Sequence, residues 1–206
     1  MYYQRQAGSL PDLETESSVP IFSLKSILHQ GIPNSLVRLS TPQETQTVNE
    51  NVLDVLIYIY ENYMDSEESV PADQILLEEE LLQAGFPKGE VKKAFDWLDE
   101  LAWRQGTMDY ANAEPNRAIR VYNDREQQKI DLEIQGMLLQ LEQTGILDPM
   151  SREIVIERAL AIESEELSAD DVKWIVLLVL LNQPGQENAF ALMEELVYNG
   201  EPVYLH

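Results

Sequence analysis

The segment Trp174–Leu181 constrains the fold more than any other part of the chain. Its eight residues are all apolar, and they lie inside a helix predicted over 169–182. A helix that is apolar on every side must be covered on every side, by the rest of its own chain or partly by a partner. Eight residues are far fewer than the roughly 20 that span a bilayer. We therefore predict a central, buried helix in a helical bundle.

Helical periodicity continues along most of the chain. Further helices are predicted over about 51–64, 71–84, 88–103, 124–144, 149–162 and 186–198. Gly85-Phe86 is typical of a helix C-terminal cap, and Ser168–Asp171 resembles a capping box. Ile119–Tyr122 is a short strand candidate. The predicted fold class is mostly α: a helical bundle with a winged-helix-like or three-helix N-terminal unit and at most a short β-hairpin.

The same patterns predict which side chains are buried. On the second helix, Ile75, Leu76, Leu81 and Leu82 are expected to face inward. The aromatic side chains are expected to belong to the core rather than to a contact surface: Tyr58, Tyr60, Tyr63, Trp97 and Trp103.

Residues 1–48 differ from the rest of the chain, because they are rich in Pro, Ser, Thr and Gln and show little periodicity. We interpret them as a disordered tail, with a tail that folds on a partner as the alternative. A third hypothesis is that they are not translated and that the protein starts at Val48. After this segment we predict two units. Residues 49–123 form a three-helix or winged-helix-like unit, and residues 124–206 form a helical C-terminal unit that packs on the first.

The net charge of −23 disfavours a wholly basic nucleic-acid binder. Residues 49–84 contain ten acids and no Lys or Arg, whereas residues 85–129 contain eight acids and eight bases. This neutral region is where an anionic partner meets least repulsion. Its candidate contacts to nucleic acid or another anion are Lys88, Lys92, Lys93, Arg104, Arg117 and Arg120.

Signs of enzymatic chemistry are few. The chain contains no Cys and two His, and it lacks a glycine-rich phosphate loop. We predict no catalytic residues, no metal ligands and no cofactor. One hypothesis of function is nevertheless a carboxylate-based, Mg²⁺-dependent hydrolase, because acids are concentrated at Glu78–Glu80 and between Glu163 and Asp171. The N-terminus has no apolar signal-peptide core, and we expect a cytoplasmic protein.

A series of short stretches runs in a fixed order through the last three quarters of the chain. They are Asp54-Val-Leu-Ile-Tyr58 with Glu61-Asn-Tyr63, Ala84-Gly-Phe86, Trp97-Leu98, Arg120-Val-Tyr122, Leu141-Glu142, Arg152-Glu-Ile-Val-Ile-Glu-Arg-Ala159, Lys173-Trp174, Asn182-Gln-Pro-Gly185 with Glu187-Asn-Ala189, Glu194-Glu-Leu196 and Leu205-His206. In order and spacing they resemble the bacterial Smg family, also called DUF494. Similar members begin just before the Asp-Val-Leu segment, which strengthens the hypothesis of a start at Val48.

The resemblance implies a mostly helical, cytoplasmic bacterial protein, but it carries over no activity, substrate or site residue. Genes of similar members often lie beside a DNA-processing gene, which suggests DNA or translation-linked processes by association alone. We predict a non-enzymatic, intracellular protein-interaction module with an unidentified protein partner. The alternative is a nucleic-acid-associated, winged-helix-like protein, which the charge disfavours.

Overall fold

The computed structural model describes residues 51–64, 74–107, 120–181 and 183–199. Within these ranges the chain is mostly helical and forms no strand, which confirms the mostly-α prediction. The predicted tail and the hypothetical start at Val48 lie outside them. The helices are α1 (Val52–Ile59), α2 (Gln74–Ala84), α3 (Lys88–Thr107), α4 (Asp124–Lys129), α5 (Leu132–Gln143), α6 (Pro149–Ala161), α7 (Ala169–Leu181) and α8 (Glu187–Asn199).

Helix α7 is the central helix of the bundle, and the prediction of a buried core helix is confirmed. It packs against α5, α6 and α8. The side chains of Val172 and of all residues from Ile175 to Leu180 are at most 2% exposed. Full burial of an aliphatic side chain contributes about 1.5–3 kcal/mol, so α7 supplies a large part of the hydrophobic stabilisation.

Helix α1 is joined to the bundle by two tyrosines on the π-helical turn Tyr60–Met64 that extends it. Tyr60 is fully buried, and its ring meets the ring of Trp174 edge-on at 5.6 Å. The Tyr60 hydroxyl donates a hydrogen bond of 2.8 Å to Glu194 on α8. The hydroxyl of Tyr63 donates to Glu80 on α2. The turn therefore connects α1 to α2, α7 and α8.

The predicted caps of α2 and α7 are both present. Gly85 adopts φ +107°, and the Phe86 amide donates to the carbonyl of Leu81 at 3.2 Å, which ends α2. The Phe86 ring packs edge-on against Tyr58 at 5.2 Å. At α7, Ser168 and Asp171 exchange hydrogen bonds of 2.8 and 3.1 Å between side chain and backbone. The capping box lets this apolar helix begin at a defined residue.

Helix α3 links the first helices to the later ones through Trp97. This side chain is 4% exposed, and its indole Nε1 donates a 3.1 Å hydrogen bond to the carbonyl of Arg158 on α6. The buried apolar residues of α1–α3 and of α5–α8 form one continuous hydrophobic cluster.

The prediction of one long helix over 124–144 is wrong, because the helix is interrupted at Ile130–Asp131. Ile130 has an extended backbone (φ −110°, ψ 93°) and is fully buried. The carboxylate of Asp131 accepts a 2.9 Å hydrogen bond from the amide of Ile134 and starts α5 as its N-cap. Burial of Ile130 and capping by Asp131 together outweigh the continuous helical pattern.

The prediction of a strand over Ile119–Tyr122 is also wrong for the residues that the structure describes. Residues 120–123 belong to no strand, and Ile119 and the loop before it lie outside the described residues. Arg120 is held by ion pairs rather than by a strand partner, as described below. The described part of the proposed wing therefore lacks β-structure, and the three-helix alternative fits α1–α3.

The prediction of burial is wrong for four side chains. On α2 only Leu77 and Leu81 are buried, whereas Ile75, Leu76 and Leu82 are 63%, 51% and 37% exposed. The reason is that α2 packs chiefly on α3, along one narrow strip of its surface. On α3 Trp103 is 62% exposed, with the guanidinium of Arg104 at 5.6 Å from its ring centroid.

Gly136 gives the first testable prediction. It lies in the middle of α5, and a Cβ added there would meet no atom within 4 Å. Gly136→Ala should therefore raise the free energy of unfolding by about 0.5–1 kcal/mol, since alanine loses less backbone entropy in a helix. Gly85→Ala is the contrasting variant: its positive φ should make the same change destabilising. Urea unfolding would measure both, and destabilisation by Gly136→Ala would contradict the prediction.

Candidate functional site

The predicted anion-binding side chains do not form one basic patch. Lys88, Lys92 and Lys93 lie in the first turns of α3, Arg104 lies near its end, and Arg120 precedes α4. Arg117 lies outside the described residues. Each described member is already within 4 Å of a carboxylate: Lys88 of Glu78 (3.9 Å), Lys92 of Asp96 (3.0 Å), Lys93 of Glu90 (2.9 Å) and Glu163 (2.6 Å), Arg104 of Glu157 (2.8 Å), and Arg120 of Glu126 (2.7 Å) and Glu153 (3.1 Å).

Arg120 is the least exposed of the described candidate cations and the centre of one ion-pair network. Its Nη1 and Nη2 donate to both carboxylate oxygens of Glu126 at 2.7 Å, and its Nε donates to Glu153 at 3.1 Å. The guanidinium carbon lies 4.5 Å from the ring centroid of Tyr122. A bidentate pair of this kind adds a defined relative orientation of the two side chains to the attraction between their charges. Arg120 therefore holds the segment before α4 against α6.

The pKa values in this network reflect the same contacts. The hydrogen bond from Arg120 lowers the pKa of Glu126 below its ordinary range. Burial acts to raise the pKa of Glu153, but hydrogen bonds from Arg120 and Arg152 outweigh it, and the net shift is downward. The hydrogen bond with Glu126 raises the pKa of Arg120 despite its partial burial. All three groups are thus held in their charged forms.

A second network joins α3 to α6 around Arg158, whose side chain is only 2% exposed. Its Nη1 donates to Glu100 at 3.0 Å and its Nη2 donates to Glu157 at 3.2 Å. Glu157 in turn pairs with Arg104. Hydrogen bonding from Arg158 lowers the pKa of Glu100. Arg104 therefore belongs to a structural network between two helices.

Among the described candidate cations, Lys88 and Lys92 are the most accessible, with side chains 79% and 75% exposed. Exposed pairs of this kind contribute little free energy and exchange readily. A phosphate would have to compete with carboxylates for Lys93, Arg104 and Arg120. Nucleic-acid contact through these six residues stays a prediction, and its chemistry is most favourable at the start of α3.

An exposed apolar surface on α2 is the second candidate site. We define the α2 face as Ile75, Leu76, Glu79 and Leu82. Successive helical residues are rotated by about 100°, which places these four within an arc of about 120°. The buried Leu77 and Leu81 lie on the opposite side. Contiguous exposed apolar side chains mark interaction sites more often than single ones do.

Acidic side chains surround the α2 face. Glu78 lies about 40° beyond Leu82 on one side, and Glu80 lies about 40° beyond Leu76 on the other. Glu80 accepts the hydrogen bond from Tyr63, and burial together with that bond raises the pKa of Tyr63. The three consecutive glutamates were considered only as possible metal ligands in the sequence, but they also limit burial: they occupy about 200° of the helix circumference and leave only a narrow strip for buried side chains.

An open depression of about 350 Å³ lies between the start of α7 and the end of α8. Trp174 and Tyr198 meet edge-on there at 5.7 Å, and Lys173 pairs with Asp170 at 2.8 Å. The lining of this depression also includes Val197 and Asn199, and residues 200–206 lie outside the described residues.

No group of three or more His, Asp or Glu side chains in the described ranges is arranged to hold a metal ion. Nor is any helix within them both long and apolar enough to cross a membrane.

The described chain is therefore an acidic, mostly α protein in which Arg104, Arg120, Arg152 and Arg158 pair with carboxylates of other segments. The family described as "Protein of unknown function (DUF494)" matches residues 52–206, and the chain belongs to this family. The predicted resemblance is thereby confirmed.

Several relatives carry the name Protein Smg homolog. The one from Thioalkalivibrio sulfidiphilus is 44% identical over 159 residues, covering 77% of this chain and 100% of the relative. Those from Nitrosococcus oceani and Alkalilimnicola ehrlichii are 48% and 47% identical, over 77% of this chain and 100% and 99% of their own lengths. These names state no activity. No solved structure matches the chain.

Proposed function

We propose that this protein is a non-enzymatic protein-interaction module that binds a partner through the α2 face. The observation that supports the proposal is the exposure of Ile75, Leu76 and Leu82, at 63%, 51% and 37%, on a single helix. Only two of the eleven residues of α2 are buried, so most of its circumference faces outward.

The charged groups support the same function. The candidate cations that the structure describes are already within 4 Å of carboxylates of the same chain. A surface that combines apolar and acidic side chains suits a protein partner better than a phosphate backbone.

The proposal predicts that capture of host proteins depends on Leu76 and Leu82. The full chain would be immobilised and exposed to lysate of the native host, with and without nuclease. Leu76→Gln with Leu82→Gln keeps helix propensity nearly constant and should reduce the retained partner about tenfold or more, as expected for central contacts of an interface. Quantitative mass spectrometry measures the retained proteins.

The matched control is Leu132→Gln with Leu139→Gln, which makes the same change on α5 at side chains 84% and 54% exposed. It should leave capture unchanged. Equal retention by both double variants would contradict the proposal. Loss of the captured material on nuclease treatment would instead favour the nucleic-acid alternative.

A further inference from the structure

The surroundings of the α2 face restrict the chemistry of what can bind it. Residues 49–84 contain no Lys or Arg. The one cation paired with the rim of the face among the described residues is Lys88, 3.9 Å from Glu78 and itself 79% exposed. Glu79 lies in the middle of the face, between Ile75 and Leu76 around the helix axis. The electrostatic potential over this apolar surface is therefore negative.

We propose that the α2 face binds a basic amphipathic helix of a partner protein, an inference that rests on the proposed function. Such a helix carries a stripe of apolar side chains, which would cover Leu76 and Leu82. Lys or Arg flanking that stripe would meet Glu78 and Glu80 on the two sides of the face. Charge complementarity and apolar burial would then act on the same surface.

A helix is the form of partner that this surface fits. α2 is a convex cylinder of about 16 Å, and the described ranges offer no strand edge beside it to which an extended peptide could add. Side chains spaced three and four apart form ridges that pack into the grooves of another helix. The positions 75, 79 and 82 have this spacing.

A second copy of the chain is a less suitable occupant. Pairing two α2 faces would place Glu78–Glu80 of one copy against the same glutamates of the other, and each copy carries a net charge of −23. Like charges placed opposite each other disfavour such an interface. The charge pattern therefore favours a partner of opposite sign.

The test uses a synthetic Leu/Lys amphipathic peptide of about 18 residues, with blocked ends, and the full-length protein. Fluorescence anisotropy would measure its dissociation constant at two salt concentrations. Leu76→Gln with Leu82→Gln should weaken binding about tenfold or more. Glu79→Lys should weaken it about three- to tenfold, with a smaller salt dependence than in the wild type.

Two controls separate this site from general attraction to an acidic protein. Leu132→Gln with Leu139→Gln repeats the apolar change elsewhere, and Glu195→Lys on α8 repeats the charge reversal at another exposed glutamate. Both should bind the peptide within about twofold of wild type. A peptide with the same composition in scrambled order, which has no apolar stripe, should bind at least tenfold more weakly.

Three results would overturn the inference. Equal loss of binding in Glu79→Lys and Glu195→Lys, with none in the leucine variants, would show attraction by net charge alone. Failure of the peptide to bind, while lysate capture still depends on Leu76 and Leu82, would leave the proposed function standing and exclude this partner class. Self-association that is lost in Leu76→Gln with Leu82→Gln, measured by sedimentation, would identify a second copy as the occupant.

Discussion

Replacing Leu177 by Ala is expected to lower the free energy of unfolding by about 3–5 kcal/mol. Leu177 is fully buried on α7, and this helix packs on α5, α6 and α8. The change removes apolar contacts and leaves a cavity that three neighbouring helices hold open. Urea unfolding, monitored by circular dichroism, would measure the loss, and the m-value should stay unchanged.

Leu139→Ala on α5 is the matched control, since this leucine is 54% exposed. It should change the free energy of unfolding by no more than about 0.5 kcal/mol. A loss at Leu177 as small as the one at Leu139 would show that α7 is covered less completely than the structure indicates.

Arg120→Leu is expected to destabilise the protein by about 2–4 kcal/mol. The Arg120 side chain is 17% exposed, and its removal leaves Glu126, 11% exposed, next to Glu153 without the cation between them. Two neighbouring carboxylates then repel each other in a partly buried setting. Unfolding in urea at pH 7 would measure the effect.

The difference in stability between wild type and Arg120→Leu should depend on pH. The pKa values of Glu126 and Glu153 are lowered from 4.5 in the folded protein. A lowered folded-state pKa adds stability that is complete above the unfolded value and is lost as the pH falls through the folded value. The difference should therefore be fully present at neutral pH and shrink as the pH falls below about 4.5.

Arg125→Leu serves as the control for the loss of one positive charge, because Arg125 is exposed on α4. It should cost no more than about 0.5 kcal/mol, with little pH dependence. If Arg120→Leu and Arg125→Leu had equal effects, the pairs of Arg120 with Glu126 and Glu153 would not be structural.

The charge distribution along the sequence led to the candidate anion contacts, and the fold changes its meaning. Residues 85–129 are neutral when counted by themselves. In three dimensions, however, Lys93, Arg104 and Arg120 pair with Glu163, Glu157 and Glu153 of the following segment. The cations of the middle segment thus offset acids further along the chain, and a count over one segment cannot reveal such pairs.

The exposed face on α2 also follows from long-range packing. Apolar spacing placed Leu81 correctly in the core but failed at Ile75, Leu76 and Leu82. Periodicity predicts that a side chain is able to be buried, whereas burial requires a neighbouring element that covers it. α2 has α3 as its main neighbour, and a single neighbour covers a single strip.

The sequence by itself determined the mostly α class, the central helix α7, the caps at Gly85 and Ser168, and membership of the DUF494 family. These properties depend on local spacing, backbone preference and order along the chain, which are all present in the sequence. Only the tertiary structure decided the break between α4 and α5, the ion pairs of Arg120 and Arg158, and the exposure of the α2 face. Each of these depends on which distant residues come together, because burial and charge pairing are properties of neighbours in space.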